Sequence, residues 1–494
     1  MFIYSLEDTQ SISRPLWSWS TIQFGISYIS SVLKADGHQT QLLVLGSNNH
    51  WRDNIKQLNT FMGEFSPHLI CVTAVTSQYP FVKNVASAIK SQWPDKYLII
   101  GGVHATLNPC DVISDSFDAV CIGEGEYPTL ELCRQTEANT IPHGIANLWI
   151  KSPDGKIEKN SPRPFLQDID SLPFPDRTIW TPWMKELQGD ELAVLLGRGC
   201  PYGCTYCCNH ALKKVALGKY VRFRSPEDII KEVSFLHTTY PTQSRIYFEV
   251  ESIALNKTWL IEFCKQLEAF NATIDNFISY GCNFRISPQS IDEKIFLALT
   301  KAHFFKINIG LESGSERIRR EILKRDYSNR DFLDVTIMAR KVGLKIFVFN
   351  IIGLPGETYD DYMETVSLNR QCQPDNHYTG IFFPYPGTEL YDMCIREGFI
   401  NTPIDHRLER KQPVIDFPQF SKPRIQKAYT WFNYRIYKGY KPLWWVLMQT
   451  VMTKLRGSIT LNFLFRRIVQ WPGLNYVREK LTRIRRNPSR FLRQ

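Results

Sequence analysis

Cys200, Cys204 and Cys207 stand in the stretch Gly-Arg-Gly-Cys-Pro-Tyr-Gly-Cys-Thr-Tyr-Cys, directly after the apolar run 192–196. A C-x3-C-x2-C spacing presents three thiolates, the usual ligands of a cubane iron–sulfur cluster, and stops one short of the four that such a cluster takes. An iron without a protein ligand is open to a small molecule, as a catalytic metal keeps a free position. Two other uses of these residues stand beside that one. His210 completes a three-cysteine, one-histidine set that suits zinc, and buried free thiols are a common feature of protein cores. Cys208 matches no ligand position and reads as structural.

Chemistry of this kind needs a rigid frame. Short apolar runs at 193–196, 245–248, 277–282, 306–309, 345–352 and 379–383 alternate with helical stretches, the rhythm of βα units and a parallel sheet. The helix after Arg224 has a clear start, with Ser225 to cap, Pro226 in the first turn and Glu227 and Asp228 at the dipole's positive end. Residues 186–400 therefore predict a partial, TIM-like (β/α)6 barrel with its chemistry at the carboxyl ends of the strands. Glu251, Asn283, Arg285, Glu312 and Ser313 fall at successive strand ends, followed by Gly-Leu-Pro-Gly at 353–356 and Phe-Pro-Tyr-Pro-Gly-Thr at 383–388. Each of these acids, and Arg285, taken singly would also suit a surface ion pair.

Residues 1–140 repeat the rhythm, with runs at 2–5, 41–45, 69–75, 97–100 and 119–122. They predict an open, Rossmann-like parallel sheet whose ligand sits beyond the strands' carboxyl ends. The loops there read Gly101-Gly102-Val103-His104-Ala105-Thr106 and Gly123-Glu124-Gly125-Glu126. Glycine lets backbone approach a flat ligand, and His104 and Thr106 offer polar anchors, although glycine-rich turns are ordinary in α/β domains. Residues 141–185 predict a linker with a small hairpin at 146–150 and 156–159, and residues 401–494 a helical, basic C-terminal region.

With Tyr206 as the aromatic before the last cysteine, and with Phe24-Gly-Ile-Ser-Tyr, Asp36-Gly-His38 and the two glycine loops in this order, the sequence resembles the cobalamin-binding class of radical S-adenosylmethionine enzymes over roughly residues 1–400. The resemblance implies a [4Fe-4S] cluster on Cys200, Cys204 and Cys207. It implies S-adenosylmethionine at the open iron, contacted from Tyr206, Glu251, Arg285, Glu312 and Ser313. It also implies cobalamin over Gly101, Gly102, His104, Thr106, Gly123, Glu124 and Gly125. Reductive cleavage of S-adenosylmethionine would then give a 5′-deoxyadenosyl radical that takes hydrogen from a poorly activated carbon, which cobalamin methylates. Cyclisation or rearrangement is the alternative outcome, and an electron donor such as flavodoxin or ferredoxin is implied. Asp36-Gly-His38 approximates a D-x-H-x-x-G signature, in which histidine ligates cobalt, but Gln41 holds the glycine place and the segment ends a helix. His38 therefore reads as helix-terminal, with cobalamin bound without histidine. The loop at 7–15 departs from the Asn-Pro-Pro segment of the class, and Val250 replaces one of a usual pair of acids.

At 494 residues the chain exceeds a single core, and 43% hydrophobic residues indicate globular domains rather than disorder. Outside the 200–208 cluster the cysteines are isolated, at 71, 110, 121, 133, 264, 282, 372 and 394. This dispersal predicts a reducing, cytoplasmic setting. The N-terminus meets acids at residues 7 and 8 and has no basic leader, so no signal peptide is expected. The net charge of +10 is concentrated at the C-terminal end, where residues 431–494 carry fourteen Lys or Arg against the single acid Glu479. There Trp444, Trp445, Phe463 and Phe465 interleave with Arg466, Arg467, Arg478, Arg483, Arg485 and Arg486. The longest uncharged run, 442–453, is too short to span a bilayer. It suits an amphipathic helix on the inner face of an anionic membrane, or a cap on the barrel with a solvated basic face. The substrate is expected to be a small or lipid-like molecule. RNA methylthiolation would recruit the basic patch for phosphate, but Cys71, Cys110, Cys121 and Cys133 lack the second cluster motif of such enzymes. A cobalamin sensor without catalysis leaves Cys200, Cys204 and Cys207 unexplained.

Overall fold

The computed structural model describes residues 1–7, 16, 18–184 and 191–457. The N-terminal sheet is built from β1 (Phe2–Leu6), β2 (Leu42–Gly46), β3 (Leu69–Thr73), β4 (Tyr97–Gly101), β5 (Ala119–Cys121), β6 (Leu148–Lys151) and β7 (Ile157–Lys159). Its order is β2-β1-β3-β4-β5-β6-β7. The first five strands pair in parallel, while β6 and β7 join antiparallel. Near-continuous burial along Leu42–Gly46 and Leu98–Ile100 marks strands covered by helices on both faces. The segment expected as a linker thus extends the first sheet: Val120 pairs with Trp149, and Ile150 with Glu158.

A second sheet follows from β8 (Glu191–Leu195), β11 (Arg245–Glu249), β12 (Ser279–Phe284), β13 (Phe304–Glu312), β14 (Lys345–Ile352) and β15 (Asn376–Ile381), all parallel and in chain order. This is the expected six-stranded partial barrel. A short antiparallel ribbon, β9 (Gly197–Arg198) with β10 (Arg222–Phe223), carries the cysteine segment. The helix Pro226–Thr239 begins as its sequence requires, with the Ser225 hydroxyl accepting from the Asp228 amide at 3.1 Å.

The two sheets are fastened together through residues 165–184. Trp180, fully buried, donates from its indole to the Ser27 hydroxyl at 2.8 Å, and Trp183 donates to the Leu42 carbonyl at 2.8 Å. Arg177 crosses to the barrel, bonding the Ala193 carbonyl at 2.6 Å and Glu232 at 2.9 Å. Two helices, Lys422–Tyr437 and Leu443–Arg456, close the described C-terminal part. The expectation of a basic helical tail beyond residue 457 lies outside the described residues, as does the unusual loop at 8–15.

Candidate functional site

The cysteine segment leaves β9 through Gly199, whose φ is +86° and where a Cβ would overlap the Tyr220 carbonyl oxygen. Only glycine accepts that conformation and that contact. Cys200 and Cys204 are buried and Cys207 is half-buried. Among the described residues no three Cys, His, Asp or Glu converge as one metal ion would require. The His210 imidazole is turned to the Cys207 carbonyl at 2.5 Å. His210 thus spends one ring nitrogen on the backbone of the cysteine segment itself.

The surroundings of Cys200 and Cys207 act in opposite directions on their thiols. The Cys208 thiol donates to Cys207, which brings Cys207 down to about 7 despite its burial. Cys208, read from the sequence as structural, thus also contacts the Cys207 thiol. Burial pushes Cys200 up to about 11. Arg285 donates from Nη1 to the Cys204 sulfur at 2.9 Å and stacks its guanidinium over Tyr202 at 3.8 Å. Its Nε is buried with no hydrogen-bond partner among the described residues. Arg285, expected to meet S-adenosylmethionine, is thus turned to the cluster cysteines with one donor to spare.

Glu312 and Ser313 are engaged by the protein itself. The fully buried Arg325 bonds Glu312 at 3.0 Å, the Tyr206 hydroxyl at 2.9 Å and the Gly310 carbonyl at 2.6 Å. Glu312 has a φ of +63°, in the left-handed region, where β13 shifts register against β14. A non-glycine residue held there costs about 1–3 kcal/mol, a strain that recurs at ligand sites. The Ser313 hydroxyl, fully buried, accepts from the Ser315 amide at 3.2 Å and faces Thr365. The sequence reading missed Arg325, which ties the aromatic of the cysteine motif to the fourth strand end.

A cavity of about 860 Å³ lies between the carboxyl ends of both sheets. Gly101, Gly102, Thr106, Gly123, Glu124 and Gly125 line one wall, and Arg198, Gly199, Glu249, Glu251 and Asn283 line the other. Pockets for ligands of moderate size run to about 300–1,000 Å³, so this one sits at the large end. His104 is the exception among the first-wall residues. Its ring packs on Tyr79 at 4.2 Å, its Nδ1 meets the Thr76 hydroxyl at 3.3 Å, and burial lowers it to about 4. It is a neutral core residue and not an anchor; Thr106, which accepts from the Gly123 amide at 3.1 Å, does face the cavity. His38 follows Gly37 (φ +92°) at the end of the helix Phe24–Ala35, beside Asp36 at 3.4 Å, and does not line the cavity.

Glu124 lines the cavity but its carboxylate is spent on the protein. It accepts from Arg198 at 2.9 Å, Arg222 at 2.9 Å and the Leu166 amide at 2.8 Å. Burial pushes its carboxyl up, yet the two guanidinium groups outweigh it and hold the group below its usual value. Arg198 also reaches Glu126 at 2.6 Å. An ionic clasp therefore joins the glycine loop of the first sheet to the ribbon that delivers Cys200. Its signal was present in the sequence, since Glu124 and Glu126 flank Gly125 and Arg198 stands between the glycines before Cys200.

The cavity's other acids, Glu249 and Glu251, are two residues apart and so share one face of the chain. Among the described residues no hydrogen bond or ion pair holds either carboxylate. Burial, then Glu251 and Glu191, push Glu249 up to about 7 against the pull of Lys306. Below it Tyr247 bonds Asn283 at 2.5 Å and accepts from Asn308 at 2.6 Å. The arrangement can hold a large flat group against the glycine loops, with Glu249, Glu251 and Asn283 across from it.

Comparison with known proteins agrees with this geometry. A B12 binding domain model matches residues 20–132 and a Radical SAM superfamily model matches residues 194–368. An uncharacterized methyltransferase of Pyrococcus horikoshii is 26% identical over 428 residues, covering 85% of this chain and 89% of the relative. The anaerobic magnesium-protoporphyrin IX monomethyl ester cyclase of Rubrivivax gelatinosus is 24% identical, covering 74% of this chain and 65% of the cyclase. Among solved structures the fold matches OxsB, a cobalamin-dependent S-adenosylmethionine radical enzyme with aqua-cobalamin and S-adenosylmethionine bound. The TM-score is 0.68 at 13% identity, with 98% of this chain and 75% of that chain covered.

Proposed function

Because the chain belongs to the cobalamin-binding radical S-adenosylmethionine enzymes, we propose that it transfers a methyl group to a poorly activated carbon of a small or lipid-like substrate held between its two sheets. The observation that carries this reading is the shared cavity, one wall of which is the glycine loops and the other the strand ends beside the cysteines. When bound, the iron–sulfur cluster with S-adenosylmethionine supplies radical chemistry and cobalamin supplies the methyl group, while the protein binds, orients and excludes water.

The residues divide that labour. Cys200, Cys204 and Cys207 would hold the cluster, and Arg285 would stabilise negative charge on the Cys204 sulfur through the N–H it already directs there. Gly101, Gly102, Gly123 and Gly125 line the cavity and would let backbone approach a bound corrin. Glu251, the acid nearer the cysteines, is the group available to an ammonium such as that of S-adenosylmethionine. The spare Nε–H of Arg285 suits a carboxylate there. Arg325 holds Tyr206 and Glu312 in place behind this site. Glu249 is left facing the substrate's share of the cavity, where it accepts a hydrogen bond or takes a proton. A small carrier of the flavodoxin or ferredoxin kind would supply the electrons that a bound cluster needs.

The test is anaerobic turnover of reconstituted full-length protein with S-adenosylmethionine deuterated at the methyl group, in extracts containing candidate substrates. A product that gains the whole deuterated methyl group supports methyl transfer. Similarity to the cyclase favours a second reading, radical cyclisation or rearrangement. Under that reading 5′-deoxyadenosine gains hydrogen from the substrate while no product gains a labelled methyl.

A further inference from the structure

The helix Leu443–Arg456 leaves an apolar face uncovered. Leu443 (57% exposed), Trp444 (68%), Leu447, Met448 and Val451 (56%) are all exposed large hydrophobic residues. At 100° per residue they fall within an arc of about 140°, and the exposed Lys454 closes the same arc. The opposite side is docked. Val446 and Thr450 are buried, Trp445 meets Tyr437 edge-on at 5.4 Å, and Thr453 accepts from Asn433 at 3.0 Å. The helix beneath, Lys422–Tyr437, is fixed to the barrel by the Tyr362 hydroxyl donating to the Ala428 carbonyl at 3.1 Å. The face is therefore mounted rigidly on the catalytic domain.

We propose that this face rests in the surface of an anionic lipid bilayer. Fourteen helical residues measure about 21 Å, short of the roughly 30 Å hydrocarbon core, and no described helix is long and apolar enough to cross a membrane. A helix of this kind lies in the interface plane with its apolar side down. Trp444 is the residue type that favours that depth. Charge selects the lipid. The chain after this helix, residues 458–494, carries nine Lys or Arg against one Glu, and each base near an anionic leaflet adds to the attraction. A nucleic acid would use the bases but has no use for the exposed leucine, methionine and valine, whereas a bilayer uses both.

The experiment is sedimentation of the full-length protein with phosphatidylglycerol–phosphatidylcholine vesicles and with pure phosphatidylcholine vesicles. Wild type should pellet with the former, release as salt rises from about 0.1 M to about 1 M and the screening length falls from about 10 to about 3 Å, and stay in solution with the latter. Trp444→Gln with Leu447→Gln changes only exposed side chains. It should keep the wild-type circular dichroism and visible absorbance while losing at least ten-fold in vesicle affinity. Wild type that ignores anionic vesicles overturns the proposal. A dimer by sedimentation equilibrium would then assign the face to a second copy, and hydrogen-exchange protection of 443–451 in the lone monomer would assign it to residues 458–494. A double variant that pellets like wild type also overturns it, leaving the basic residues alone as the lipid-binding element.

Discussion

Replacing Arg198 with Met should loosen the first sheet from the cysteine ribbon, and the magnitude follows from which acid loses its partner. Glu124 keeps Arg222 at 2.9 Å and the Leu166 amide. Glu126, with its side chain only 5% exposed, loses the single cation it bonds among the described residues. Removing one partner of a buried pair costs about 3–5 kcal/mol because an uncompensated charge remains. Arg198 itself is 17% exposed, which places the cost at the lower end, about 3 kcal/mol. For a unit of 150–250 residues that corresponds to a thermal midpoint roughly 6–12 °C lower. The same loosening should weaken hydroxocobalamin binding, read by titration of its visible spectrum. Adding Glu126→Gln removes the orphaned charge, so the double variant should regain most of the midpoint. The reasoning fails if Arg198→Met melts like wild type, or if the double variant is no more stable than the single one. Acid should have a parallel effect. Glu124 sits below its usual carboxyl value in the folded state, so its stabilisation is present above the unfolded pKa of about 4.5 and is lost as pH falls through the lower folded value.

Further outcomes follow from the same geometry. Cys200→Ala, Cys204→Ala and Cys207→Ala should each abolish the broad visible absorbance after anaerobic iron and sulfide reconstitution, whereas Cys208→Ala should retain the cluster. Loss of absorbance in Cys208→Ala with retention in Cys207→Ala would reverse the ligand assignment. Glu249→Gln should stabilise the protein increasingly as pH rises. The wild-type carboxyl is raised to about 7 by burial, so its favourable protonated form is complete below about 4.5 and lost as pH climbs through about 7; the gain at alkaline pH is at most about 3 kcal/mol. Parallel melting curves for the two proteins from about pH 5 to about pH 8 would show that Glu249 is already charged. His38→Ala should leave the spectrum of bound hydroxocobalamin unchanged, and loss of an imidazole signature in that variant would restore His38 as a cobalt ligand.

What the sequence made legible was whatever local pattern dictates. The strands from Phe2–Leu6 to Ala119–Cys121 and the six barrel strands were readable because each is a short apolar run bounded by turn residues. Ser225 was readable as a cap because its role is settled within three residues. Cys200, Cys204 and Cys207 stood out because their spacing is itself a chemical pattern. What escaped were partnerships made across long separations. The hairpin Leu148–Lys151 and Ile157–Lys159 was foreseen, but nothing local says that Val120 is the edge it joins. His104 looked like an anchor by its neighbours in sequence, and only the distant Tyr79 and Thr76 turn it inward. Arg325 escaped for the same reason: it reaches back 119 residues to Tyr206. The clasp of Glu124, Glu126, Arg198 and Arg222 is the strongest case. The four residues lie in segments far apart in the chain, yet the side chains bind one another. Through those bonds the wall made by the glycine loop is tied to the facing wall that leads into Cys200, so that a shift in one displaces the other.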